Sequence, residues 1–148
     1  MAFKWSSANS DQSPAMVRVA KTTETAMVKG DVLAVDITNN ALERATSTTT
    51  VLTLRAVCQE TRVSGDADVL VILITNGQLW EADTANASHA TNQTFERATL
   101  TDHDTLNNSG TDVSTHAGAA VGEIIAPIGA TSENKVLFRF FNPTVVTA

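Results

Sequence analysis

One thiol, three imidazoles and a scatter of carboxylates are the groups in this 148-residue chain with chemistry to offer. Cys58 stands between Val57 and Gln59 in an alternating run, with no neighbouring His or Lys to draw off its proton. It reads as a small buried hydrophobe. A lone cysteine forms no intrachain disulfide and no cysteine-based zinc site. His89, His103 and His116 all fall in segments that read as loops, and a four-ligand zinc site would consume every His and Cys present. Asp102-His103-Asp104 has the look of a metal or acid–base cluster. A hard-cation loop needs further oxygen ligands brought round by a tight turn, but Thr105 and Leu106 come next and Asn107-Asn108-Ser109-Gly110 arrive too late. A solvated turn is the expectation. Asp66 and Asp68, in Gly65-Asp66-Ala67-Asp68, read as the solvated entry to an apolar strand. No serine sits in a G-x-S-x-G context and the seven glycines form no phosphate loop. The chain therefore reads as non-enzymatic, with no catalytic residue, cofactor or metal site.

The aromatic residues are the other candidates. Trp80 offers a stacking platform for a sugar or base, but a tryptophan beside a turn is more often a core or intersubunit residue. In the closing strand Phe138 and Phe140 share one face and Phe141 points to the other, so both faces need cover. In so small a domain that cover is expected from another subunit, which makes Trp80, Phe138, Phe140 and Phe141 candidate subunit-interface residues. Phe3, Lys4 and Trp5 lie in an unpatterned N-terminal stretch that needs a partner to become ordered, and are candidate partner contacts.

The composition sets limits on what these residues serve. Ten Lys plus Arg against sixteen Asp plus Glu give a net charge of −6, which argues against an electrostatic nucleic-acid binder. No apolar run approaches the roughly 18 residues of a membrane span, and the polar N-terminus lacks the apolar stretch of a signal peptide. Ser, Thr and Asn number 42, well above the 26 charged residues, which suits Thr- and Val-bearing strands and close polar interfaces.

Residues 1–16 show neither strand nor helix periodicity and are expected to form an extended arm. Residues 17–148 are expected to form a single β-domain. Extended pieces at Val17 and Val19 precede a Lys29-Gly30-Asp31 turn. Strands are then predicted at 32–37, 42–46, 48–59, 68–75, 78–81, 94–100, 119–125 and 135–141, with Asn76-Gly77 as a hairpin signal and 101–117 as a long polar loop. No window carries a helical stripe. The fold class is all-β, a small antiparallel barrel or sandwich of about ten short strands. Leu42-Glu43-Arg44-Ala45-Thr46 recurs as Phe95-Glu96-Arg97-Ala98-Thr99, and Arg55–Glu60 has a weaker echo in Ala119–Glu123. Taken as a repeat, this suggests two related hairpin units with Glu43/Arg44 and Glu96/Arg97 in equivalent places.

The order of these motifs resembles the small β-domain decoration, or cement, proteins of tailed-phage capsids. Lys29-Gly30-Asp31-Val32 leads one strand, Leu54-Arg55-Ala56-Val57-Cys58-Gln59-Glu60 another, and Val121-Gly122-Glu123-Ile124 precedes the closing Val136-Leu137-Phe138-Arg139-Phe140 strand, over residues 17–141. Cys58 departs from the small Gly or Ala common there. The resemblance implies a virion protein on the outer capsid surface. Such a protein is typically a homotrimer at three-fold or quasi-three-fold positions between capsomers, with the major capsid protein as partner and no nucleic acid or membrane involved. The expected arm suits strand addition to a neighbour's sheet edge. Two other readings are a receptor- or glycan-binding module of a phage tail or fibre, with Trp80 and the 101–117 loop as its face, and a trimeric nucleotide hydrolase, for which the acidic and Gly-rich motifs are missing.

Overall fold

The computed structural model describes residues 3–9, 13–23, 25–75, 77–85, 94–108, 120–130 and 133–141. The fold is all-β. Its eleven described strands are β1 (Lys4–Trp5), β2 (Met16–Ala20), β3 (Val32–Asp36), β4 (Ala41–Arg44), β5 (Leu54–Cys58), β6 (Asp68–Leu73), β7 (Trp80–Thr84), β8 (Arg97–Leu100), β9 (Thr105–Asn107), β10 (Gly122–Pro127) and β11 (Lys135–Phe140). A single 3-10 turn, Ser7–Asn9, follows β1.

The strands form two rings. One sheet runs β2-β6-β5-β3-β4, and the parallel bridge Lys21↔Leu42 brings its two edges together. The other runs β7-β11-β10-β8-β9 and closes through a parallel β7–β9 pairing, with β1 added along the remaining edge of β7. In both, the five strands follow one another in the same spatial order, with the first and third parallel and every other pair antiparallel. The chain is thus two copies of one five-stranded barrel, β2–β6 matching β7–β11. The β7–β9 pairing removes most of the exposed hydrogen-bonding edge of the second sheet, while the first is joined at the single Lys21↔Leu42 bridge.

The backbone hydrogen bonds match in detail. Gly30 N–H donates to Cys58 O and Cys58 N–H to Asp31 O, both at 2.8 Å; in the second barrel Phe95 N–H donates to Ile124 O at 2.6 Å and Ile124 N–H to Glu96 O at 2.8 Å. Thr22 N–H to Leu42 O corresponds to Ala85 N–H to Leu106 O, and Ile74 N–H to Arg55 O corresponds to Phe141 N–H to Val121 O, all at 2.9 Å. Gly30 (φ 97°) and Phe95 (φ 64°) both adopt the left-handed region, each just before a buried acid, Asp31 or Glu96. Alternation then places equivalent side chains inside each barrel. Leu33, Leu42, Cys58, Val69 and Val71 fill the first, and Ala98, Leu106, Ile124, Val136 and Phe138 fill the second. On the other face of the first barrel the cross-strand row Val32, Val57 and Ile72 joins the second barrel's apolar cluster, so the two barrels share a core.

Several expectations change. The glutamate–arginine repeat is not the duplication: Glu43 and Arg44 sit on or beside the third strand of one barrel, and Glu96 and Arg97 at the second strand of the other. The weaker echo touches matched strands, with Arg55–Cys58 on β5 and Gly122-Glu123 on β10, but its letters are out of register, because the structural counterpart of Gly122 is Ala56. Gly77 takes a positive φ (87°), but no hairpin surrounds it, because β6 and β7 belong to different barrels and do not pair. Residues 48–53, predicted as strand, are turns and irregular backbone, and the 101–117 loop contains β9. The N-terminal segment is no free arm. β1 pairs antiparallel with β7, Phe3 N–H donates to Gly30 O at 3.1 Å, and Phe3 is 2% exposed.

Candidate functional site

The residues singled out for chemistry are mostly used to hold the fold. Cys58 is fully buried, its thiol donates to Glu60 O at 2.9 Å, and burial pushes its pKa up, so it is a packing residue as expected. Trp80, Phe138 and Phe140 are not interface residues of the folded chain: all three lie inside the second barrel, at 0%, 0% and 2% exposure. Phe138 and Phe140 meet edge-on at 5.1 Å, and Trp80 packs against Phe140 at 6.2 Å. A buried indole cannot serve as a stacking platform, which removes the Trp80 face on which the glycan-binding reading rested. Phe141 points the other way, as expected, and is half-buried beneath the Arg97 guanidinium at 5.7 Å. The cover expected from a second subunit comes instead from the chain itself. Phe3 lies 5.1 Å from Phe140 and 6.0 Å from Phe138, and Trp5 meets Trp80 edge-on at 5.4 Å. Of the three expected N-terminal contacts, Lys4 is exposed, Trp5 half-buried and Phe3 enclosed. His89 and His116 lie outside the described residues.

Among the described residues, His103 is the centre of a polar constellation that joins the two barrels. It sits in the β8–β9 connection, and its Nδ1 is 2.9 Å from Asp31 Oδ1, at the mouth of β3 in the other barrel. Arg44, on β4, donates to its Nε2 at 3.3 Å, which leaves the ring proton on Nδ1, pointing at the carboxylate. Val32 N–H donates to His103 O at 2.6 Å, and Asp31 Oδ2 accepts Val28 N–H at 3.0 Å. The expected solvated turn is therefore a strap between barrels. It went unseen because Asp31 is 72 residues away in sequence, although Gly30 in its Lys-Gly-Asp turn was a visible signal. Asp31, His103 and Asp104 present ligand atoms within 4.8 Å of one another. The guanidinium of Arg44 against the same imidazole disfavours a second cation there, and the arrangement acts as a hydrogen-bonded link. His103→Ala is expected to cost about 1–3 kcal/mol, because it strips a partner from a buried carboxylate. Denaturant unfolding of the variant checks this, and a loss under 0.5 kcal/mol would count against the strap.

The Asp66/Asp68 loop is an ion-pair network. Arg18 reaches Glu60 at 2.7 Å and Asp68 at 3.1 Å, and Arg62 reaches Asp68 at 2.8 Å. The Arg18 guanidinium, with help from Leu70 N–H, holds the Glu60 carboxyl below its ordinary value. The Asn39 side chain and Thr38 N–H do the same for Asp36. Carboxyls lowered by folding contribute stability above their unfolded pKa values and lose it as pH falls into and below that range. The melting temperature is accordingly expected to hold from pH 7 to 5 and to drop between 4.5 and 3, the interval starting at the ordinary Glu value. Glu60→Gln should flatten that drop; an unchanged acid limb would show that the network has no linkage.

Among the described residues the large exposed apolar side chains include Ile37 at the β3–β4 tip (73%), Val63 between β5 and β6 (61%) and Phe95 (55%), with Val17 and Leu73 at one end of the first barrel. No protein-family model matches the chain, and no curated protein matches it.

Proposed function

We propose that this protein is a non-enzymatic virion component that binds the outside of a tailed-phage capsid between capsomers and braces the shell. It does so as a homotrimer at three-fold or quasi-three-fold positions, with the major capsid protein and itself as partners. The observation that carries the reading is the division of labour among side chains. The thiol and the large aromatics Trp80, Phe138 and Phe140 are committed to internal packing and the described imidazole to hydrogen bonds within the chain, while isolated apolar groups at strand ends and turn tips remain exposed. Surfaces of that kind suit several modest contacts made at once, which add up through multivalency. The net charge of −6 suits an outer surface better than one facing packaged nucleic acid. The order of strand motifs resembling the decoration proteins supplies the partner. Lys4, Trp5 and the exposed Phe95 are the side chains best placed to touch it.

The test is co-sedimentation of purified protein with expanded, genome-free shells, together with its mass by analytical ultracentrifugation. Saturable binding near one trimer per three-fold position, with later shell rupture on heating, is the expected result. Protein that ignores expanded shells and remains monomeric in their presence would end the proposal.

A further inference from the structure

Gly30 and Phe95 occupy equivalent places in the two barrels and share a left-handed backbone, with φ of 97° and 64°. Glycine takes that conformation freely, whereas a bulky side chain takes it under strain. Phe95 gains no burial in return. It is 55% exposed and lies outside the apolar cluster that fills the second barrel. The first barrel makes the same turn with glycine, so the fold itself supplies no reason for an aromatic residue here. A strained backbone held beneath an exposed ring points to a contact made outside the chain.

The surroundings of Phe95 define that contact. The strand registers make Arg97, Glu123 and Arg139 the counterparts of Val32, Val57 and Ile72 in the first barrel. The apolar row is buried where the two barrels share their core, while the charged row is half-buried on the corresponding face of the second barrel. Arg139 donates to Glu123, and among the described residues Arg97 has no carboxylate partner. Arg97 follows Phe95 by two residues and lies over the Phe141 ring at 5.7 Å. An exposed aromatic ring beside an arginine is the side-chain chemistry that protein interfaces enrich.

We propose that Phe95 is the anchor of the shell-binding surface: its ring enters an apolar pocket of the shell protein, and a carboxylate on the rim of that pocket pairs with Arg97. The grooves described on this chain do not offer that combination to a second copy. The groove beside Val17 and Leu73 has no charged residue, and the one beside Met16 and Ile72 carries Lys4 and Lys29, which would repel Arg97. A third groove holds Asp36 and Glu43 but has no large apolar side chain. The inference rests on the capsid reading above and names the side chains that make the attachment.

The experiment compares Phe95→Gly, Arg97→Glu and Arg97→Lys with the unaltered chain in melting temperature, in sedimentation mass without shells, and in co-sedimentation with expanded, genome-free shells. Phe95→Gly should melt within roughly 3 °C of the unaltered chain or above it, because glycine relieves the strain and little packing is lost. It should bind shells at least about tenfold more weakly. Arg97→Glu should weaken binding further than Arg97→Lys. A larger fall in the melting temperature of Phe95→Gly would mean that the ring serves the fold, and would overturn the inference. So would Phe95→Gly that binds shells as tightly as the unaltered chain, with the capsid reading left standing. A lower free mass for Phe95→Gly would put the ring between copies and overturn its assignment to the shell. An unaltered chain that ignores shells removes the capsid reading and this inference with it.

Discussion

Phe3→Ala is expected to destabilise the protein by about 3–5 kcal/mol, the range for deleting a buried phenyl ring. In a chain of this size each kcal/mol moves the melting temperature by roughly 2–4 °C, so a fall of about 10 °C or more should be seen in thermal unfolding. The reason is geometric. Phe3 is 2% exposed and packs between the rings of Phe138 and Phe140, while β1 holds it there through two register pairs with β7. Little of that packing can be recovered by collapse, because the neighbouring rings are themselves fixed on β11. Lys4→Ala, one residue on and exposed, should change stability by less than about 0.5 kcal/mol. The contrast separates two roles for the N-terminus. An arm reserved for a partner would leave the melting temperature of Phe3→Ala unchanged and lose only shell binding, and that outcome would contradict the packing described here.

Strand content was legible in the sequence because strand signals are local. Val32 to Asp36 and Asp68 to Leu73 are short apolar runs rich in valine and bounded by turn or polar letters, Lys135 to Phe140 alternates its buried side chains, and each is a strand. What the pattern does not carry is the partner. Asn76-Gly77 has the letters of a hairpin turn, yet the strands on either side close separate barrels, a choice made by long-range packing. The same holds for the duplication. The words Glu-Arg-Ala-Thr caught the eye because they are identical, but they lie on non-equivalent strands. The true counterparts, such as Gly30-Asp31 with Phe95-Glu96, share backbone geometry and burial while sharing no letter. A left-handed φ and a buried acid can be supplied by more than one residue pair, so structure persists where sequence identity does not. The His103 strap was hidden for a related reason: each of its members looks ordinary until the barrels bring residues 31, 44 and 103 together.

Gly122→Ala is expected to be strongly destabilising for a single added methyl, costing about 3 kcal/mol through overpacking. A Cβ at this position runs into Arg139 O and into the edge of the Phe138 ring. Gly122 is hemmed in on both sides, opposite Phe140 on β11 and Ala98 on β8, so the strand has no free direction in which to shift. The first barrel explains why glycine is needed in only one of the two copies. The counterpart of Gly122 is Ala56, and the counterpart of Phe138 is the smaller Val71, so an alanine is accommodated there. Pairing Gly122→Ala with Phe138→Val should therefore recover part of the loss beyond what the two changes sum to separately, a coupling readable in a double-mutant cycle. Recovery should stay incomplete, because the Arg139 carbonyl belongs to the backbone and cannot be trimmed. Simple additivity in that cycle would mean that the ring is not what excludes the methyl group, and would leave the difference between the two barrels at this position without its physical cause.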